Sequence, residues 1–372
     1  MKYKSFPASL TGLRVGLFPF GTEGNPYQRL IAEALTVAGF APRPLPKQNW
    51  FALRRVMSQP IDVLQMHWPH SLYHGRSWLA TILKRAMYFD GLHALERKPV
   101  MYSADNLLPH DAADPAFEMR MVQRLLDRVD GCLVASRASS EIFCRTYRLP
   151  PRVKCHVVPH RNYLGAYPNT MGRDEARRRL NLPAAARVVL FFGRLLWYKG
   201  IEGLLPAFLQ LDDPNAILVL AGQPRDGSFV AALEQQVAKH RQALSGQVRV
   251  DARFVPDDEI QLYMNAADLV ALPYADVPMN PGSLILAMGF GKPVISPAKG
   301  ATPEIAGPNV LFGYDEGQPG GLAATLRRAL GADDLAARGS EALDRARTNH
   351  SKDRVAAAYR AAYESTAASL TA

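Results

Sequence analysis

"RVVLFFGRLLWYKGIEGLLPAFLQL" (187–211) decides the fold. A short, almost unbroken apolar run (187–194) has the composition of a strand buried on both faces. A turn follows with a glycine at each end, Gly193 and Gly200, and two cations, Arg194 and Lys199. Residues 200–211 then take up a helical pattern. A strand, a glycine-bounded turn and a helix make one βα unit, and such units build parallel sheets.

The same alternation extends on both sides. Downstream come strands at 216–222, 247–254, 268–274 and 293–297, with helices over "SFVAALEQQVAKHRQAL", over "DDEIQLYMNAA" and from about Gly282. Upstream, beyond a polar linker at 164–186, apolar runs at 13–20, 61–68, 98–105, 131–136 and 155–160 end in polar residues. Helical patterns over "YQRLIAEALTVAGF", which closes at Gly39, and 116–130 lie among them. The expected architecture is α/β, with two doubly wound domains facing a cleft. The boundaries are 1–165 for an acceptor- and membrane-facing domain and 166–350 for a donor domain. An Ala-rich C-terminal helix, 351–372, packs back on the first. In doubly wound sheets ligands bind beyond the carboxyl ends of the strands, where His67, Asp105, Ser136 and His160 all fall.

Composition narrows the class. A chain of 372 residues exceeds what one core usually covers. Its 48% hydrophobic and 21% charged residues describe a globular protein rather than a disordered one. Cys132, Cys144 and Cys155 lack CxxC or CxxH spacing, so neither a zinc site nor a disulfide framework is expected, and a reducing cytoplasm fits best. The N-terminus has no long apolar core of a signal peptide, and no run approaches the roughly 20 residues that span a bilayer. The net charge of +10 is confined to one half: residues 1–165 carry 22 Lys and Arg against 12 Asp and Glu, and the remainder carries 22 of each. That asymmetry implies an anionic partner for the first domain: nucleic acid, acidic lipid or a phosphorylated substrate.

Two elements of the second domain suit a diphosphate. Arg194 offers a bidentate fork and Lys199 a point charge. Asn280, Gly282 and Ser283 precede an apolar helical run, whose free amides and partial positive charge attract anions; an ordinary Asn or Ser cap is the plainer alternative. No Walker lysine motif or GxGxxG follows the first strand, which argues against P-loop and dinucleotide folds.

"FFGRLLWYKGIEGLLPAF", "FVPDDEIQLYMNAADLVALPY" and "GSLILAMGFGKPVISPAKGATPEI" resemble the donor-binding half of GT-B glycosyltransferases. With "DVLQMHWP" and "MYSADNLLPHD", the chain is most similar to the family 94 β-mannosyltransferases of xanthan-type exopolysaccharide assembly. The resemblance covers most of the chain. It implies a nucleotide-diphosphate sugar donor, GDP-mannose in that family, and a polyprenyl-diphosphate-linked acceptor at the inner face of the plasma membrane. It implies no metal and no cofactor. Tyr274, Leu284 and Glu304 fall in its donor-binding motifs. Two departures stand out. Pro278 and Leu286 occupy the places of the glutamate pair of many retaining GT-B enzymes. Asp105 replaces the family 94 histidine and resembles the base of the xanthan-type glucuronosyltransferase, which is also inverting.

"MYSADNLLPHD" (101–111) is then a catalytic edge rather than a polar turn. An inverting transfer needs a base for the acceptor hydroxyl and cations for the leaving diphosphate. Asp105 takes the first role. Asn106, His110, His67 and Trp68 are candidates to orient it or the acceptor. His160 and Arg161, after the last first-domain strand, are candidates to reach the sugar or phosphate. Asp111 is assigned to a helix cap. "NWFALRRVM" (49–57) and "RSWLATILKRAMYF" (76–89) mix aromatic and aliphatic residues with Arg76, Lys84 and Arg85, as an amphipathic element on an anionic membrane does; a core-facing helix with a basic outer face is the alternative. The competing functions are transfer of a glucuronosyl or glucosyl group from a UDP-sugar, a non-catalytic nucleotide-sugar or nucleic-acid binder, and a sugar-nucleotide epimerase or phosphorylase. Nucleic-acid binding calls for aromatics along a basic stripe and no diphosphate cradle, so no nucleic acid is expected.

Overall fold

The computed structural model describes residues 4–21, 25–109, 112–239 and 247–371. They form two compact units: Met1–Arg161 with His350–Ala372, and Asn162–Asn349. His110 and Asp111 lie outside the described residues.

The first unit runs β1 (Arg14–Phe20), α1 (Tyr27–Val37), β2 (Ala41–Pro46), α2 (Ala52–Met57), β3 (Val63–Met66), α3 (Trp78–Leu92), β4 (Val100–Ser103), α4 (Pro115–Leu126), β5 (Gly131–Val134), α5 (Arg137–Thr146) and β6 (Lys154–Val157). Its parallel sheet has the order β2-β1-β3-β4-β5-β6, so the winding reverses between β1 and β3. β2 is a strand that apolar patterning misses: "APRPLP" has proline at every second position. It is an edge strand. The Ala41 amide donates to Leu13 O at 2.8 Å, which turns the odd positions toward β1 and the prolines away from the ladder.

The cap of α4 is Asp114, whose carboxylate accepts from the Phe117 amide at 2.9 Å with Pro115 in the first turn. The cap expected at Asp111 falls outside the described residues. Ser136 likewise caps α5, accepting from the Ser139 amide at 3.0 Å.

The second unit contains α6 (Arg173–Arg179), β7 (Arg187–Phe192), α7 (Ile201–Leu209), β8 (Ala216–Ala221), α8 (Gly227–Lys239), β9 (Val248–Asp251), α9 (Ile260–Ala266), β10 (Leu269–Ala271), α10 (Gly282–Gly289), β11 (Val294–Pro297), α11 (Thr302–Ala306), β12 (Leu311–Tyr314), α12 (Gly321–Leu330) and α13 (Leu335–Asn349). The order is β12-β11-β10-β7-β8-β9, with its reversal between β7 and β10. Val189 and Phe191 of β7, Leu218 and Leu220 of β8, Leu204 and Phe208 of α7 and Leu326 of α12 form one core.

The stretch expected as a linker contains α6. Arg177 on it is buried to 1% exposure and donates to the carbonyls of Ala184, Ala186 and Ala266 and to Asp268. A buried guanidinium is tolerable only when so completely bonded.

The last helix, α14 (Lys352–Thr371), belongs to the first unit. Val355, Ala356, Tyr359, Ala362 and Tyr363 share a core with Ile31, Ala34 and Leu35 of α1 and Val15 and Leu17 of β1. Its alanines let α14 approach α1 closely.

Candidate active site

In the first unit a chain of polar side chains lies at the carboxyl ends of β3 and β4. Asp105, 8% exposed, accepts from the Tyr27 hydroxyl through Oδ1 at 2.6 Å and from His67 Nδ1 through Oδ2 at 3.0 Å. Gln65 Nε2 donates to His67 Nε2 and to Ser103 Oγ, both at 3.1 Å, and Tyr363 of α14 donates to Gln65 Oε1 at 2.9 Å. The network assigns the His67 proton to Nδ1, facing the carboxylate, because Nε2 accepts. One bond on each carboxylate oxygen fixes the rotamer.

Tyr27 is the first residue of α1, beside the reversal between β1 and β3. It stacks on His160 with ring centroids 4.8 Å apart and lies 6.1 Å from the Trp68 ring. Trp68 has φ 39°, a left-handed conformation that costs a non-glycine residue about 1–3 kcal/mol and recurs at functional sites. Trp68, Asn106 and Asp105 line a cavity of about 20 Å³, room for one water. His160 is buried, and desolvation pulls it down to about 4; it is neutral at working pH. Its Nδ1 donates to the Arg161 carbonyl at 2.6 Å. Arg161 lies with Nη1 3.2 Å from Glu33 of α1, so its charge is matched within the first unit.

In the second unit the loops after β7 and β10 bring Arg194, Lys199, Tyr274 and Ser283 together. Gly200 has φ +74°, and a Cβ there would stand 1.7 Å from Pro273 O; only glycine lets the two loops touch. A Cβ on Gly193 would lie 3.6 Å from Ser283 Oγ, which places the β7 turn against the start of α10. Tyr274, whose hydroxyl is pushed above its ordinary pKa by burial, lies beside Ser283. Lys199 Nζ lies 5.2 Å from the Tyr274 ring centroid. Desolvation, and then the Arg194 charge, lower Lys199 to about 8. Burial and a neighbouring like charge both disfavour the ammonium here.

The residue preceding α10 is Pro281, and no side chain caps the helix. The expected alternative, an Asn280 or Ser283 cap, is therefore absent. Gly282 is the first helical residue and Leu284 is fully buried. Glu304, exposed in the first turn of α11, is joined to this region through the backbone: Ala301 N donates to Pro278 O at 2.9 Å.

Sequence reasoning missed Tyr27, Gln65 and Tyr363. Gln65 carried a signal, a glutamine in the middle of a buried apolar strand, which requires partners. Tyr27 and Tyr363 carried none of comparable strength.

Residues 172–344 match the family described as glycosyl transferases group 1. Across 95% of this chain and 99% of that one, the fold is similar to Anabaena HepE in complex with UDP-glucose (TM-score 0.72, 19% identity). A sucrose-phosphate synthase from Thermosynechococcus elongatus is similar at TM-score 0.70 and 18% identity, over 95% and 98% of the two chains. The protein is a glycosyltransferase of the GT-B fold, and the group 1 match falls within its second unit.

Among individual relatives, it is similar to GDP-mannose:glycolipid 4-beta-D-mannosyltransferase of Xanthomonas campestris pv. campestris. The two are 26% identical over 296 residues, 78% of this chain and 76% of the relative. It is also similar to D-inositol 3-phosphate glycosyltransferase of Corynebacterium glutamicum, 26% identical over 77% of this chain and 68% of the relative.

Proposed function

We propose that the enzyme transfers a hexose, mannose from GDP-mannose, to a polyprenyl-diphosphate-linked saccharide in exopolysaccharide assembly, with inversion at the anomeric carbon. The observation that carries the inverting transfer is Asp105, pinned through both oxygens at the carboxyl end of β4. It acts as general base toward the acceptor hydroxyl. Arg194 and Lys199, with the amides at the start of α10, hold the diphosphate as it departs. Tyr274, Asn280, Gly282, Ser283, Leu284 and Glu304 shape the donor pocket around them. Asn106, His110, His67 and Trp68 orient the base and the acceptor, and His160 and Arg161 form the rim toward the sugar. The Xanthomonas relative's name supports both donor and glycolipid acceptor.

The test is a screen of nucleotide sugars with a lipid-linked acceptor, followed by NMR of the product. GDP-mannose is expected to be consumed fastest, giving a β-mannoside. Preference for UDP-glucuronate or UDP-glucose supports the second reading, which the aspartate at position 105 favours. An α-mannoside overturns the inverting assignment.

The first unit carries a surface suited to such an acceptor. On α3, Trp78 is 76% exposed, and Leu79, Ile82, Leu83 and Phe89 are also exposed, with Trp50 and Phe51 on the loop before α2. Burial, and then the charges of Lys47 and Arg76, lower the Lys84 pKa, so basic residues cluster on the same surface. Arg85 is a correction to the expected basic face: it turns inward, 4.0 Å from the Phe117 ring centroid. No helix among the described residues is long and apolar enough to cross a membrane. The surface is read as a peripheral anchor at the cytoplasmic leaflet, gaining about 1 kcal/mol per basic residue near anionic lipid. Replacing Trp78 and Leu79 with serine is expected to weaken binding to phosphatidylglycerol vesicles at least tenfold, and added salt to weaken the wild type. Equal wild-type binding to neutral and anionic vesicles overturns the electrostatic part.

A further inference from the structure

The chain has three cysteines, at 132, 144 and 155, on β5, α5 and β6. The fold brings all three together. Cys132 and Cys155 are register partners on adjacent parallel strands, so their side chains share a face of the sheet. From α5, Cys144 Sγ reaches to 3.5 Å from Cys155 Sγ. Access is graded: Cys144 exposed, Cys155 partly covered, Cys132 buried. No group of three or more His, Cys, Asp or Glu among the described residues has a metal-holding arrangement.

We propose that these thiols form an oxidant-responsive centre, in which a hydroperoxide oxidises Cys155 and Cys144 closes on it as a reversible disulfide. The inference is independent of the donor and acceptor assignments. The adjoining Cys132 thiol, and then Cys144, whose Sγ lies 3.5 Å away, and Ser140 favour the Cys155 thiolate and bring it down to about 7 against the opposing effect of burial. Burial and the neighbouring Cys155 hold Cys144 up at about 11. Cys155 is therefore the thiolate near neutrality, and a thiol with a pKa close to ambient pH is the best nucleophile. Cys144 keeps its proton and takes the resolving role.

The thiolate sulfur of Cys155 attacks one peroxide oxygen and the O–O bond breaks. The other oxygen leaves with a proton from solvent as water, or as an alcohol from an organic hydroperoxide, and Cys155 becomes a sulfenic acid. The Cys144 sulfur then attacks Cys155. An S–S bond forms, the sulfenic oxygen leaves as hydroxide, and the Cys144 proton converts it to water. Two thiols have lost two electrons, and the peroxide has gained them.

The experiment exposes the reduced full-length chain to equimolar hydrogen peroxide near pH 7, blocks free thiols with N-ethylmaleimide and maps the peptides. The expected result is one blocked thiol, at Cys132, and a Cys144–Cys155 linked peptide that dithiothreitol removes. In C144S the expected product is a Cys155 sulfenic acid trapped by dimedone. In C132A, which removes the thiol beside Cys155, the link is expected to form several-fold more slowly. Three blocked thiols after peroxide, or a Cys132–Cys155 link in place of the expected one, overturns the proposal.

Discussion

Asp105→Asn is expected to leave the fold and donor affinity unchanged and to reduce sugar transfer by about 10²–10⁴-fold, the usual cost of removing a general base. The asparagine fits the same two partners. Its carbonyl accepts from His67 Nδ1, and the Tyr27 hydroxyl, which donates in the wild type, turns to accept from the new amide. Size and bonding are kept while the proton acceptor is lost, so a fall in rate with unchanged thermal stability isolates chemistry from packing. Tyr27→Phe grades the same effect: it removes one hold on the carboxylate but keeps the ring stacked on His160. About 1 kcal/mol, and less than tenfold in rate, is expected. Full activity in Asp105→Asn would falsify the assignment and make "MYSADNLLPHD" a polar turn.

The strand ends were legible because a buried apolar run that stops at a carboxylate or imidazole has few structural reasons to do so. That logic found His67 and Asp105 on neighbouring strands, and the structure joins them. Patterning also reached the turn after β7, since glycine and cations in a strand-to-helix connection have a physical use. What it did not reach lies in tertiary pairing. Tyr27 meets Asp105 across 78 residues and Tyr363 meets Gln65 across 298; periodicity along one element carries no trace of such partners. Arg161 faces Glu33 for the same reason, and the three cysteines, spaced without any motif, converge only in space. β2 and α6 were missed differently. An edge strand tolerates prolines that a central strand excludes, and a helix as charged as "RDEARRR" is held by one buried arginine rather than an apolar stripe. Both break the hydrophobic rule while obeying the hydrogen-bonding one.

Lys199 makes the donor site testable through pH. In the free enzyme burial and Arg194 hold its ammonium down to about 8. A bound diphosphate brings negative charge beside it and raises the pKa, so above pH 8 donor binding takes up a proton. Affinity for GDP or UDP is therefore expected to be level below about pH 8 and to fall by up to about tenfold per pH unit above it. The phosphates do not confuse the measurement, since their last ionisation lies near pH 6. Lys199→Ala is expected to weaken binding by about 2–4 kcal/mol at neutral pH, roughly 30- to 1,000-fold in Kd, and to flatten the decline above pH 8. Arg194→Ala tests the coupling differently. It loses a contact of similar strength, yet removing the neighbouring charge raises Lys199 in the free enzyme, so the decline begins at higher pH. Calorimetric titration of wild type and both variants between about pH 7 and pH 9.5 separates the outcomes. An affinity insensitive to pH in the wild type, or one that declines identically in Lys199→Ala, removes this lysine from the diphosphate site.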